Sequence, residues 1–63
     1  MIVEFTNSVT GVPVYINSEY VMLARPNPVD PDGSTEIKLR DGETLTVRGY
    51  HRDVAARLTQ VAA

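Results

Sequence analysis

Cysteine and tryptophan are both missing from this 63-residue chain, and phenylalanine occurs once. Without cysteine there is no disulfide framework, and with His51 as the lone good nitrogen ligand a structural metal is no substitute. No cofactor is expected. Long apolar runs are absent as well: nothing approaches the ~20 apolar residues of a membrane span. The opening lacks a positive segment ahead of an apolar stretch, so no signal peptide is predicted. The expected setting is the cytoplasm, away from any membrane. Basic charge is also in short supply. Six Lys and Arg against eight Asp and Glu give a net charge of -2 and a pI near 5.1. That balance disfavours nucleic-acid binding through a broad basic field, because such binding draws its affinity from neutralised phosphates.

What is present suits a small globular domain spanning residues 1–63. The hydrophobic fraction, 43%, is too high for a disordered chain, and the mean hydropathy of -0.13 is ordinary for a soluble one. A chain this short buries only roughly 60% of its unfolded surface, so the core must be thin. Self-association is the compensation left open, and a homo-oligomer is expected. The charge is uneven. Arg25 stands alone against five acids up to Glu36, whereas Lys38, Arg40, Arg48, Arg52 and Arg57 outnumber Asp41, Glu43 and Asp53 after it.

Alternation of apolar and polar residues predicts five short strands. They are placed at 1–6 (Val3 and Phe5 against Glu4 and Thr6), 12–17 (Val12, Val14 and Ile16 on one face), 20–25, 35–40 and 43–48. Asn7 to Gly11 makes the first reversal, and Asn17 to Glu19 the second. Pro13 cannot donate to a ladder, which places the second strand at an edge or pairs it only on the side that does not need the donor. The third strand, with Val21 and Leu23 alternating with Tyr20, Met22 and Ala24, is semi-apolar on both faces. It reads as central, or as a strand whose second face meets the helix or another subunit. Residues 26–33 hold three of the four prolines and form the longest loop.

Asp41-Gly42 is the clearest hairpin signal. A two-residue loop would set Leu39 opposite Thr44, mixing apolar with polar partners. A three-residue loop of Arg40, Asp41 and Gly42, with the glycine left-handed, pairs Ile37 with Leu45 and Thr35 with Val47 instead. The bulged loop is therefore predicted. Past Gly49, Val54, Leu58 and Val61 recur at helical spacing, with Ala55 and Ala62 beside them, predicting an amphipathic helix over 51–61. Arg52 and Arg57 fall mostly on its solvent side, and Asp53 in the first turn suits the helix dipole.

No catalytic arrangement emerges, and no enzyme is expected. His51 lies near Asp53, but no serine or other nucleophile is announced beside it, so it reads as an exposed junction residue. Asp30, Asp32, Ser34 and Glu36 place oxygens at alternate positions, as a calcium loop does. The missing third ligand before Gly33 and the flanking prolines instead make a Pro-Asp-Gly turn. Tyr15, Tyr20 and Tyr50 can stack on bases, although a chain this poor in aromatics needs them for core and interface.

The order of Asn17, three residues, Val21, a Pro-containing loop, a strand ending in Leu39, Asp41-Gly42, Val47 and a helix led by Asp53-Val54 and Leu58 resembles the FlbD family, small proteins encoded among flagellar genes. Met1-Ile2, Thr6-Asn7 and Gly11 fit the start of that family. The resemblance implies a cytoplasmic, non-enzymatic role linked to motility. Val47 to Val54 (VRGYHRDV), with His51-Arg52 followed by an acid, is similar to the carbon storage regulator family, which also has five short strands followed by a helix. That similarity implies an RNA-binding translational regulator with Arg52 at the RNA.

The expected fold is therefore mainly β: about five short antiparallel strands in a curved sheet or partial barrel, with a C-terminal helix. The favoured function is a non-catalytic interaction or regulatory protein with an unidentified protein partner, the alternative being RNA binding. Arg48, Tyr50, His51, Arg52 and Arg57 are the candidate contacts for either.

Overall fold

The structure is a computed structural model that describes residues 1–59. It is mainly β, with antiparallel strands β1 (Ile2–Thr6), β2 (Pro13–Asn17), β3 (Val21–Pro26), β4 (Ser34–Leu39) and β5 (Thr44–Arg48), then one helix, α1 (His51–Thr59). Each strand lies within one residue of the bounds expected from the sequence. The expected helix positions 60 and 61 lie outside the described residues. The strands fall into two sheets, β1–β2 and β3–β4–β5. A single bridge between Asn7 and Val47 joins the sheets, supported by the Ser8 N–H donating to the Thr46 carbonyl at 2.9 Å. Across that bridge the strands run in the order β2-β1-β5-β4-β3, as two sheets rather than the one curved sheet or partial barrel expected. Helix α1 packs on β3 and β4, and its Val54 and Leu58 complete a core of Val3, Phe5, Ile16, Ile37 and Val47.

Each reversal is built on one short polar side chain. Asn7 Oδ1 accepts from the Val9 N–H at 2.8 Å, Asn17 Oδ1 from Glu19 at 3.0 Å, Asn27 Oδ1 from Val29 at 3.2 Å and Asp41 Oδ1 from Glu43 at 2.9 Å. In every case the donor lies two residues on. This is the geometry by which Asn and Asp mimic a backbone turn and compete with strand continuation. Asn17 also opens a short 3-10 turn over Ser18–Tyr20, and Asn27 donates from Nδ2 to Ser34 Oγ at 2.9 Å, closing the proline-rich loop onto the start of β4.

The two strand prolines sit where their missing donor costs nothing. Asn7 donates to Val12 and Ser18 donates to Met1, so alternation along an antiparallel ladder makes Thr6↔Pro13 a pair without mutual hydrogen bonds. The nitrogen of Pro13 therefore faces away from β1, as the edge reading requires. Asn27 donates to Ser34, and the same argument turns the nitrogen of Pro26, paired with Thr35, away from β4.

The third strand corrects one expectation. It is not central but an edge, with β4 in the middle of its sheet. The register shifts between Val21 and Leu23, so the simple alternation fails there. Val21 and Ala24 are half-buried, whereas Met22 and Leu23 both face solvent. A bulge inserts one residue, turns successive side chains to the same side and blunts the edge. The half-buried residues of β3 meet the helix, which is the other reading of this strand.

The β4–β5 hairpin has the predicted register, Ile37↔Leu45 and Thr35↔Val47. Leu39 donates to Glu43 at 2.8 Å and Gly42 to Leu39 at 3.0 Å, closing a three-residue loop. Gly42 has φ +92, and a Cβ placed there would meet nothing within 4 Å. The constraint is therefore on the backbone alone. Gly42→Ala is expected to cost about 1 kcal/mol or more in urea denaturation, and Gly42→Asn clearly less, since asparagine tolerates the left-handed region.

Thr35 is fully buried in spite of its hydroxyl. Its Oγ1 donates to the Gly49 carbonyl at 2.9 Å, and the Gly49 N–H donates to the Gly33 carbonyl at 2.9 Å. Gly49 itself has φ +129, with Val54 Cγ2 3.1 Å from where a Cβ would stand. The turn from β5 into α1 is thereby pinned to β4. Thr35→Val keeps the shape and strands the Gly49 carbonyl, so a loss of about 1–2 kcal/mol is expected in chemical denaturation.

Candidate interaction surfaces

The five residues singled out from the sequence divide into two kinds. Arg48, at the end of β5, is exposed, as is Arg52 in the first turn of α1. Between them Tyr50 is partly exposed, and its ring lies 4.4 Å centroid to centroid from that of His51, tilted by 47°. The structure therefore brings Tyr50 and His51 together at the junction that Gly49 bends, with Arg48 and Arg52 flanking them in the chain and the Arg48 guanidinium reaching toward Gly11. Among the described residues, neither Arg48 nor Arg52 has an ion pair or side-chain hydrogen bond.

Arg57 is employed otherwise. It follows Arg52 by five residues, about 140° around the helix, and so points elsewhere. Its Nη2 donates to the Glu4 carbonyl at 2.6 Å, and its guanidinium carbon stands 4.5 Å from the centroid of the Phe5 ring. The Met1↔Ser18 hydrogen bond and ladder alternation make Glu4↔Tyr15 a pair without mutual hydrogen bonds, which leaves the Glu4 carbonyl turned away from β2. Arg57 satisfies that carbonyl at the gap where the two sheets part, and the cation rests on the one phenylalanine. The contact spans 53 positions of sequence, and periodicity, which placed Arg57 among the solvated charges, carries no signal for it.

The acidic segment is structural. The Asp30 carbonyl accepts from Gly33 and Ser34, as the Pro-Asp-Gly turn requires. The Glu36 carboxylate is held by Arg25 Nε at 2.8 Å. Among the described residues there is no group of three His, Cys, Asp or Glu able to hold a metal ion.

Two features were not visible in the sequence. The first is a pocket of about 290 Å³ between β3 and α1, lined by Ser18, Val21, Ala24, Ala55, Leu58 and Thr59. The Ser18 Oγ is buried there with no hydrogen-bond partner among the described residues. The described lining offers two hydroxyls and aliphatic groups, of a kind that receives an apolar side chain. The second is the apolar character of the outer face of β1–β2. Cross-strand partners share a face, so Ile2 and Glu4 lie with Asn17 and Tyr15 on the side away from the core. Ile2 is 61% exposed and Tyr15 67%.

Comparison with family models, curated proteins and solved structures gives no match to this chain. The assignment of roles therefore rests on geometry. Arg57→Ala is expected to lower stability by about 1–2 kcal/mol, through the lost carbonyl partner and the lost contact with Phe5, whereas Arg48→Ala and Arg52→Ala stay within about 0.5 kcal/mol of the parent; thermal and urea unfolding of the three variants tests the division.

Proposed function

We propose that this is a small non-catalytic interaction protein that acts in the cytoplasm through contacts with protein surfaces, its own copies included. The observation that carries the reading is the imbalance of its apolar side chains. Among the described residues the core has seven buried hydrophobics, and ten large ones are exposed, among them Ile2, Tyr15 and Met22. Scattered exposed apolar residues are ordinary on a monomer. Here they outnumber the core that must hold the chain together, and covering some of them adds the burial a chain of this size lacks. A regulatory role linked to motility is the setting suggested by the resemblance to the FlbD family.

One observation favours a second reading. Arg48, Tyr50, His51 and Arg52 follow one another along an exposed bend, two cations and a tilted aromatic pair being of the kinds with which single-stranded nucleic acid is held. As an RNA-binding regulator the protein would use these four, with Arg57 committed to the fold. Mobility of labelled RNA at two salt concentrations separates the readings. Phosphate binding must weaken steeply as salt rises. The proposal expects no shift at the lower salt; a salt-sensitive shift abolished by Arg48→Ala with Arg52→Ala would replace it with the RNA reading.

A further inference from the structure

The two outer strands, β2 and β3, are not defended alike. Strand β3 carries a bulge at Met22, the charge of Arg25 and a proline at its end, which are the devices that keep an edge from pairing with another chain. Strand β2, Pro-Val-Tyr-Ile-Asn, has no charge and an unbroken register with β1. Its one defence is Pro13, at its first position. Among the described residues β2 pairs only with β1. By the alternation that turns the Pro13 nitrogen outward, the N–H and C=O of Tyr15 and Asn17 face outward too.

We propose that the open edge of β2 pairs antiparallel with β2 of a second copy of this chain, about a twofold axis at Tyr15. The inference rests on the protein-contact reading above and assigns it a surface and a partner. The order of donors and acceptors is self-complementary. Each Tyr15 N–H donates to the carbonyl of the partner's Tyr15, and each Asn17 N–H donates to the carbonyl of the partner's Pro13, while the reciprocal bond to the Asn17 carbonyl is missing because Pro13 has no N–H. This register engages the whole strand and stops where the chain leaves it for the turn at Ser18–Tyr20. No like charges meet, because β2 has none. The two exposed Tyr15 rings come side by side on the outer face, with Ile2 diagonal to each. Two β1–β2 ribbons become one four-stranded sheet, and a two-stranded ribbon is the arrangement that most needs such support. A second copy suits this edge because β2 carries no charge to repel itself and brings its own exposed Tyr15 to the axis, giving an isologous dimer.

Sedimentation velocity of the full chain, from low micromolar to hundreds of micromolar, tests the proposal together with Tyr15→Pro. Position 15 spends no N–H within the chain, so proline there leaves the β1–β2 ladder intact, as Pro13 does, and removes the donor at the axis. The expected result is a concentration-dependent dimer that Tyr15→Pro weakens at least about tenfold. A second measurement stands should that variant misfold. Amide exchange of the unmodified protein is expected to show Tyr15 and Asn17 protected at high concentration and unprotected at low. A monomer throughout, or a dimer with these two amides exchanging equally fast at both concentrations, overturns the proposal. A dimer of the latter kind leaves the protein-contact reading standing with another interface, whereas a salt-sensitive RNA shift removes that reading whatever the state of β2.

Discussion

Val47 is paired to Thr35 on one side and bridged to Asn7 on the other, and its side chain is completely buried. The two sheets meet at that residue and, among the described residues, have no other bridge. Its neighbours do the rest: the Thr46 carbonyl takes the Ser8 N–H, and two positions on, Gly49 is tied to β4 by both of its backbone groups. In a chain without cysteine, the connection between halves comes from such local crowding of hydrogen bonds around a buried centre. Ile37, Val47, Val54 and Thr35 are the largest fully buried side chains, and all four lie around the β5-to-α1 turn. The N-terminal ribbon is attached to this centre by the one bridge, by the packing of Val3, Phe5 and Ile16, and by Arg57.

That last attachment explains why a cation is retained on a helix face that packs near β1. An edge carbonyl turned away from its own ladder needs a donor, and water would supply one only by reaching into the gap between the sheets. A guanidinium meets the need while keeping its charge partly solvated, and its planar face lies on Phe5 at the same time. A lysine would offer a point charge without the flat surface. The single phenylalanine of the chain is therefore core on one side and a platform on the other.

Much of this architecture was legible in the chain because it is local. Asn7, Asn17, Asn27 and Asp41 announce reversals through a bond that reaches two residues, and Gly42 announces the bulged hairpin because only one loop length lets Ile37 face Leu45. What was illegible is long-range or is decided by exception. The bulge at Met22 breaks a period that nothing in Val21–Ala24 shows to be broken. Thr35 reads as a polar strand position until the carbonyl of Gly49, fourteen residues on, accepts its hydrogen bond. Arg57 reads as a solvated charge until Glu4 is placed beneath it. The candidate cluster was half legible on the same grounds: Tyr50 and His51 are neighbours in sequence and stay neighbours in space, while the apolar outer face of β1–β2 depends on a pairing that composition does not reveal.

The distribution of backbone donors then links the fold to what the surface can do. Prolines at the outward positions of β2 and β3 cost the ladders nothing, so their placement bears on what lies outside each strand. On β3 the proline comes with a bulge, an ion pair and a packed helix, and the edge is closed several times over. On β2 it stands alone at the first residue, leaving Tyr15 and Asn17 with outward donors and an uncharged strand to present them. An edge that needed only to avoid other chains would carry a lysine or a second break near its middle, where a single residue disrupts most of the pairing. Defence at one end removes one reciprocal bond at each end of such a pairing and leaves the Tyr15 pair at its centre complete. The two edges thus differ in where they are broken: β3 within the strand, β2 only at its first residue.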